Sequence, residues 1–209
     1  HARFTANNEV EVELASGGTV AARSDLIYID TGTRPRVPDI PGLDAAGCLT
    51  NTTIMDLGEV PGHLAVIGGG YIGVEFAQMF RRFGADVDII HRGTHLLSRE
   101  DDDVADAVSD IFAEDGITVH FQANPVEVKT GSDGAKALVV ETSDGTRTVT
   151  AATHILVAAG RIPNTDDLGL ENTNIETTER GHIKTDEFLE TTAAGVFAIG
   201  DVKGGPAFT

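Results

Sequence analysis

The chain has 209 residues, 41% of them hydrophobic, with 15 basic and 33 acidic side chains and a formal net charge of −18. That size and apolar content suit a globular protein with a real core, and the negative surface argues against nucleic acid or an anionic membrane as partner. No run approaches the roughly 18 consecutive apolar residues of a membrane span, no basic-then-apolar leader opens the chain, and Cys48 as sole cysteine rules out an intrachain disulfide, so a cytoplasmic protein without a metal-ligand set is expected. The acidic excess with only four lysines (Lys129, Lys136, Lys184, Lys203) is similar to that of proteins from salt-loving organisms.

From Val10 to Asp30 the sequence alternates around Ser16-Gly17-Gly18, which predicts a small β-meander of two or three antiparallel strands. Pro35, Pro38, Pro41 and Gly42 then break regular structure and predict a linker, and Pro61-Gly62 marks a second break before the apolar strand His63 to Ile67. After the glycines at 68 to 73, apolar residues at Ile72, Phe76, Met79, Phe80 and Phe83 have helical spacing, stopped by Gly84. Ala85 to Ile90 reads as the next strand. Val104, Ala107, Val108, Ile111 and Phe112 form a second helical stripe behind acidic residues 100 to 103, ending at Gly116. Ile117 to Phe121 reads as a third strand, Gly131 to Gly134 and Asp144-Gly145 as turns of a ribbon, and Ile155 to Ala158 as the closing strand. The fold class expected is α/β: a Rossmann-like, doubly wound parallel sheet over residues 61–160 with a β-ribbon inserted before its last strand. Residues 1–60 and 161–209 are expected to be two pieces of a second domain.

Gly68-Gly69-Gly70-Tyr71-Ile72-Gly73 follows a predicted strand and opens a predicted helix, the context that makes G-x-G-x-x-G a dinucleotide site. Gly68 permits the tight turn, Gly70 lets backbone approach a pyrophosphate, and Gly73 permits close packing of helix on strand. About 20 residues on, where a carboxylate would accept from the ribose of NAD, stand His91 and Arg92. Arg92 suits the 2′-phosphate of NADP, with His91 as a further donor, so NADPH is favoured over NADH. Arg99 is a candidate second contact or a solvated partner of its acidic neighbours. Asp88, inside the strand, is expected to face a neighbouring element.

Four ordered motifs, residues 28–35 (YIDTGTRP), 67–75 (IGGGYIGVE), 157–165 (VAAGRIPNT) and 196–202 (VFAIGDV), resemble those of the flavoprotein disulfide reductases, and the ending from Gly200 to Thr209 looks most like the mercuric reductase-like branch. The resemblance implies FAD and a pyridine nucleotide as cofactors, and makes residues 1–60 (β-meander and linker) and 161–209 partial segments of an FAD-binding domain. It implies contacts from Thr31, Gly32, Gly200 and Asp201 to flavin, with Asp201 accepting from a ribityl hydroxyl. It further implies Tyr71 as a gate on the nicotinamide side, Glu75 as a positioning carboxylate, and contacts to the nucleotide from Ile72 and Gly160, with Arg161 either structural or in contact. Asp30 departs from the alanine that many members carry before Thr-Gly. The family's first FAD fingerprint, its C-x4-C cysteine pair and its interface domain with a His-Glu pair do not occur in these residues. The chain therefore reads as an interior segment, inactive alone, of a homodimeric enzyme that passes hydride from NADPH to flavin and on to a disulfide or metal ion. The alternatives are an NADH oxidase-like or ferredoxin reductase-like flavoprotein without the cysteines, and a stand-alone nucleotide-sensing module.

Overall fold

A computed structural model describes residues 1–132 and 134–205 and divides them into two compact units, His1–Arg34 with the chain from Arg161 onward, and Pro35–Gly160. In the first unit, β1 (Ala2–Ala6), β2 (Glu9–Glu13) and β3 (Thr19–Arg23) form an antiparallel sheet in that order. β1 lay outside the predicted meander because Phe4 is its one buried side chain, which leaves no apolar alternation to read. β4 (Ile27–Ile29) leaves the meander and pairs parallel with Val196–Ala198, and β5 (Thr33–Pro35) pairs with Arg161–Pro163.

Residues 35–60 differ from the expected linker of an FAD-binding piece. The prolines do prevent long regular elements, but Leu43 and Ile54 are each 1% exposed in the cores of the second unit. Leu49 donates its N–H to the Ile155 carbonyl at 2.8 Å and accepts from the Val157 N–H at 2.8 Å, which places it on the edge of that unit's sheet. Apolar burial of this kind stabilises by about 1.5–3 kcal/mol for a leucine-sized side chain, enough to recruit a segment with little regular structure beyond the 3-10 turn Thr53–Asp56.

The second unit is built on four parallel strands. β6 (His63–Ile67) leads through α1 (Tyr71–Phe83) to β7 (Asp86–Ile90), and α2 (Asp102–Glu114) leads to β8 (Thr118–His120). An antiparallel ribbon of β9 (Ala123–Thr130), β10 (Lys136–Thr142) and β11 (Arg147–Ala152) precedes β12 (His154–Val157), which adds beside β6 to give the order β12-β6-β7-β8. The turn predicted at Gly131 to Gly134 includes Asp133, which lies outside the described residues. Pleating divides the core. Leu64, Val66, Val87 and Ile89 face α1 and α2, while Ala65, Ile67, Ile90, Ile155 and Val157 meet the ribbon residues Val128, Leu138 and Val140. Both faces of the parallel sheet are covered, as such sheets require.

Two features fix α1 over the end of β6. Gly84, in the left-handed region at φ +106°, stops the helix as predicted. Its buried face is Gly73, Val74, Ala77 and Phe80, so small residues bring the axis close to the sheet, and Phe83, part of the predicted stripe, is exposed. α2 likewise buries Ala105 and Phe112 and leaves Val104 and Ile111 largely exposed. The chain returns to the first unit through β13 (Arg161–Pro163) and β14 (Val196–Ala198), whose core gathers Phe4, Ile29, Ile175, Ile183, Val196, Ala198 and Val202. Of the predicted ending motif, residues 206–209 lie outside the described residues. Among the described residues no helix is long and apolar enough to cross a membrane.

Candidate functional site

The glycine loop connects β6 to α1 and its three motif glycines meet three different constraints. Gly68 has φ +116°, and a Cβ there would stand 2.4 Å from the Ala158 carbonyl oxygen. At Gly73 a Cβ would stand 2.0 Å from the Gly68 carbonyl oxygen, so helix and loop touch backbone to backbone. Gly70 is the opposite case: it is exposed, and a Cβ would meet nothing within 4 Å. Gly70 is also the N-cap of α1, and no side chain caps the helix. A 13-residue helix thus opens toward free space with its positive dipole end and its first N–H groups. Such an end accepts a phosphate without any further device.

A loop of residues 92–100 folds against this turn. Leu97 donates its N–H to the Gly69 carbonyl at 2.9 Å, and fully buried Leu96 fills the space where a side chain at Gly69 would lie. The Tyr71 hydroxyl donates to Glu100 Oε1, and that bond together with burial holds the phenol above its ordinary pKa. Tyr71 and Ile72 are half-buried at the first turn, and Glu75, exposed one turn beyond Tyr71, shares its side of the helix. Glu75 borders a shallow groove with Gln78, Met79, Arg82 and Phe83.

Arg92 stands exposed just past the end of β7 and makes no ion pair among the described residues. His91 corrects the expectation of an outward donor. Its Nδ1 accepts the Gly69 N–H at 3.2 Å, while Nε2 is buried with no hydrogen-bond partner among the described residues. Burial also lowers its pKa, with the nearby Arg92 charge acting the same way, so the ring is neutral and supports the glycine loop from beneath. Arg99 is exposed, and Gly160, in the left-handed region at φ +107°, is exposed with open space where a side chain would be.

Asp88 does face a neighbouring element, in fact two. Its Oδ2 lies 2.5 Å from His63 Nε2 on β6 and its Oδ1 lies 2.6 Å from His120 Nε2 on β8. Burial alone would raise its pKa, but the bonds from the two histidines outweigh it and the net shift is downward. The carboxylate ties three strands together and is engaged within the sheet. Cys48 is half-buried and burial raises its pKa, which keeps it a thiol.

In the first unit, two motif segments about 130 residues apart in sequence clasp each other. The Thr31 hydroxyl donates to the Asn164 carbonyl at 2.8 Å, Asn164 Nδ2 donates to the Thr31 carbonyl at 2.8 Å, and the Asn164 N–H donates to the Gly32 carbonyl at 3.0 Å. Arg34 adds a bidentate pair to Asp166 at 3.0 and 2.8 Å, and the arginine's bonds hold the Asp166 carboxyl below its usual range. Arg161 donates from Nε to the Thr33 hydroxyl oxygen at 2.6 Å and from Nη2 to the Thr33 carbonyl at 2.7 Å. Thr33 in turn donates to Asp201 Oδ2 at 3.3 Å, in the turn that follows β14. Gly200, at φ +64°, packs against Asp30, whose Oδ1 would stand 2.5 Å from an added Cβ. Thr31, Gly32, Gly200 and Asp201 are therefore members of one unit, but the Thr31 hydroxyl is engaged by Asn164. Thr33, Arg34, Asn164 and Asp166 escaped the reading as site-building residues, because nothing in a single sequence signals pairing across such a separation.

A family profile described as pyridine nucleotide-disulphide oxidoreductase matches residues 1–209. A mercuric reductase of Streptomyces lividans is 40% identical over 207 residues, covering 99% of this chain and 43% of that protein. The probable pyridine nucleotide-disulfide oxidoreductase RclA of Escherichia coli (strain K12) is 38% identical over 209 residues, covering 100% and 46%. A dihydrolipoyl dehydrogenase of Chlorobaculum tepidum is 37% identical over 204 residues, covering 97% and 43%. Among solved structures, the Cu(II) complex of the HOCl-induced flavoprotein disulfide reductase RclA from Escherichia coli superposes with a TM-score of 0.89 at 36% identity, over 100% of this chain and 46% of that one. The chain spans less than half the length of each of these relatives.

Proposed function

Because this chain belongs to the pyridine nucleotide-disulphide oxidoreductase family, we propose that the second unit, through residues 61–160, binds the reduced pyridine nucleotide of an FAD-dependent oxidoreductase and that residues 1–34 with the chain from Arg161 onward supply part of its flavin site. The observation that carries the reading is the contrast among the loop glycines: Gly68 and Gly73 are held by backbone contacts, while Gly70 leaves open space at an uncapped helix end. That is the shape a pyrophosphate needs, and the residues present fit it.

When bound, the reduced nucleotide and FAD would supply the hydride- and electron-transfer chemistry. The chain's own residues bind and orient. The N–H groups at the start of α1 meet the phosphates, and Gly68, Gly70, Tyr71, Ile72, Gly73, Glu75 and Gly160 line the nucleotide's path. Arg92, exposed and without an ion-pair partner among the described residues, meets a 2′-phosphate and favours NADPH over NADH. His91 contributes indirectly by fixing Gly69. Asp201 presents an acceptor oxygen to a ribityl hydroxyl, with Thr31, Gly32 and Gly200 around it; a carboxylate suits this because it only accepts. In the whole protein the electrons pass to a disulfide or a metal ion, and the protein is a homodimer of the cytoplasm, where reduced nucleotide is at hand. The relatives, a mercuric reductase and a dihydrolipoyl dehydrogenase among them, support those acceptor classes.

Calorimetric titration with NADPH and with NADH tests the reading. NADPH binds once per chain and more tightly than NADH, and Arg92→Ala removes the difference. Equal or tighter NADH binding, with NADPH affinity indifferent to Arg92→Ala, overturns the cofactor assignment.

A further inference from the structure

The two oxygens of Asp201 are in different situations. Oδ2 accepts from the Thr33 hydroxyl, whereas Oδ1 accepts no hydrogen bond from a described residue. Thr33 is itself constrained. Its oxygen accepts from Arg161 Nε at 2.6 Å and its carbonyl accepts from Arg161 Nη2 at 2.7 Å, so the arginine fork grips both side chain and backbone of one residue. A hydroxyl carries a single proton. With Arg161 placed on the acceptor side of the Thr33 oxygen, that proton is directed to Asp201. Thr33, Arg161 and Asp201 are all half-buried, where such bonds act in a lower dielectric than at the open surface.

We propose that Thr33 and Arg161 are positioning residues for Asp201, forming a relay in which Arg161 fixes the Thr33 hydroxyl, Thr33 holds Oδ2, and Oδ1 is thereby presented to a hydroxyl on the sugar-alcohol chain of the bound cofactor. The inference rests on the flavin part of the proposed function and adds to it the device that sets the carboxylate's orientation. If Arg161 served the fold alone, its bond to the Thr33 carbonyl would suffice; the additional bond to the Thr33 side chain is the one that reaches Asp201. The relay joins three segments, at residues 33, 161 and 201, that meet only in the folded unit.

The test uses protein expressed from its complete gene, stripped of flavin and titrated with FAD by fluorescence, with the melting temperature of each apoprotein measured alongside. Thr33→Val keeps the shape and removes the hydroxyl; it weakens FAD binding about tenfold, the scale of a hydrogen bond to a charged group. Thr33→Ser, which keeps the hydroxyl, binds FAD within about twofold of wild type, a change small beside that bond. In an Asp201→Asn background Thr33→Val adds less than about twofold, because the charge-assisted bond from the Thr33 hydroxyl to the carboxylate is already lost. Arg161→Lys weakens FAD binding while Asp201 is present and has no such effect in Asp201→Asn. A role confined to folding would lower melting temperature and affinity together and add fully in the Asp201→Asn background, and that result overturns the relay, as does an FAD affinity indifferent to Thr33→Val. Wild-type protein that binds no FAD overturns the flavin reading itself, and the relay with it, a result distinct from normal FAD binding by Thr33→Val.

Discussion

Alanine at Gly70 and alanine at Gly73 add the same methyl group about 4.5 Å of helix rise apart, yet the structure gives them opposite consequences. At Gly73 the methyl would stand 2.0 Å from a carbonyl oxygen and 3.5 Å from Val66 Cγ1. Real carbon–oxygen contacts need more than an ångström beyond that, and the obstacle is backbone, so α1 must lift from β6. Overpacking of this kind costs about 1–3 kcal/mol or more. At Gly70 the methyl meets no protein atom within 4 Å, and φ −85° is open to any residue. Two smaller effects oppose each other there: alanine caps a helix less well than glycine by under about 1 kcal/mol, and it removes about 0.4–1 kcal/mol of unfolded-chain entropy. Gly70→Ala therefore melts within a few degrees of wild type while its methyl occupies the space assigned to the pyrophosphate. Its affinity for NADPH falls at least tenfold, about 1.4 kcal/mol. Thermal melts read the first quantity and calorimetric titration the second. Gly70→Ala that binds NADPH like wild type, or Gly73→Ala that is as stable as wild type, refutes the reasoning.

Arg92→Ala weakens NADPH binding by about 10- to 100-fold, the range for a charge-assisted hydrogen bond, and leaves NADH within about twofold; competition titration with the two nucleotides decides it. Asp88 has its folded pKa lowered, so its ionised form contributes stability at every pH above the ordinary carboxylate value, and the contribution fades as pH falls below that value through the lowered one. Asp88→Asn costs about 1–3 kcal/mol near neutrality and flattens the acid limb of the stability curve; denaturant melts at stepped pH would show an unchanged limb if the His63 and His120 bonds did not matter. A net charge of −18 is unscreened at 0.01 M salt, where the Debye length is about 30 Å, and well screened at 0.15 M, where it is about 8 Å. The melting temperature rises with added KCl, and a flat salt series contradicts that account of the acidic surface.

Much of the nucleotide unit was legible because its signals are local. A strand, a glycine loop, a helix stopped by Gly84 and a second strand follow one another with no long-range choice to make, and β6 and β7 pair in parallel across the crossover through α1. What misled was hydrophobicity taken alone. The stripe Ile72, Phe76, Met79, Phe80 and Phe83 suggested one buried face; Phe80 is buried and Phe76 and Met79 pack against the core, but Phe83 is exposed and Gly73 and Ala77 also sit against the sheet, because closeness of approach as well as apolar bulk decides which face packs. The same held for Val104 and Ile111 on α2, exposed while Ala105 is buried. His91 was misjudged because spacing places a residue after a strand but says nothing of which way its ring turns. In the first unit the motifs were recognisable one at a time, whereas the clasp of Thr31 and Arg34 with Asn164 and Asp166, and the path from Arg161 to Asp201, depend on three segments meeting in space.

The central claim, that these residues bring a reduced pyridine nucleotide to a flavin, is tested most directly by adding NADPH without oxygen to protein expressed from its complete gene and reading the visible absorption of its flavin. The account predicts that the purified protein carries FAD and that NADPH bleaches the band, with Gly70→Ala requiring at least about tenfold more nucleotide for the same bleaching. Protein that carries no flavin, or a flavin band that neither NADPH nor NADH changes, contradicts it.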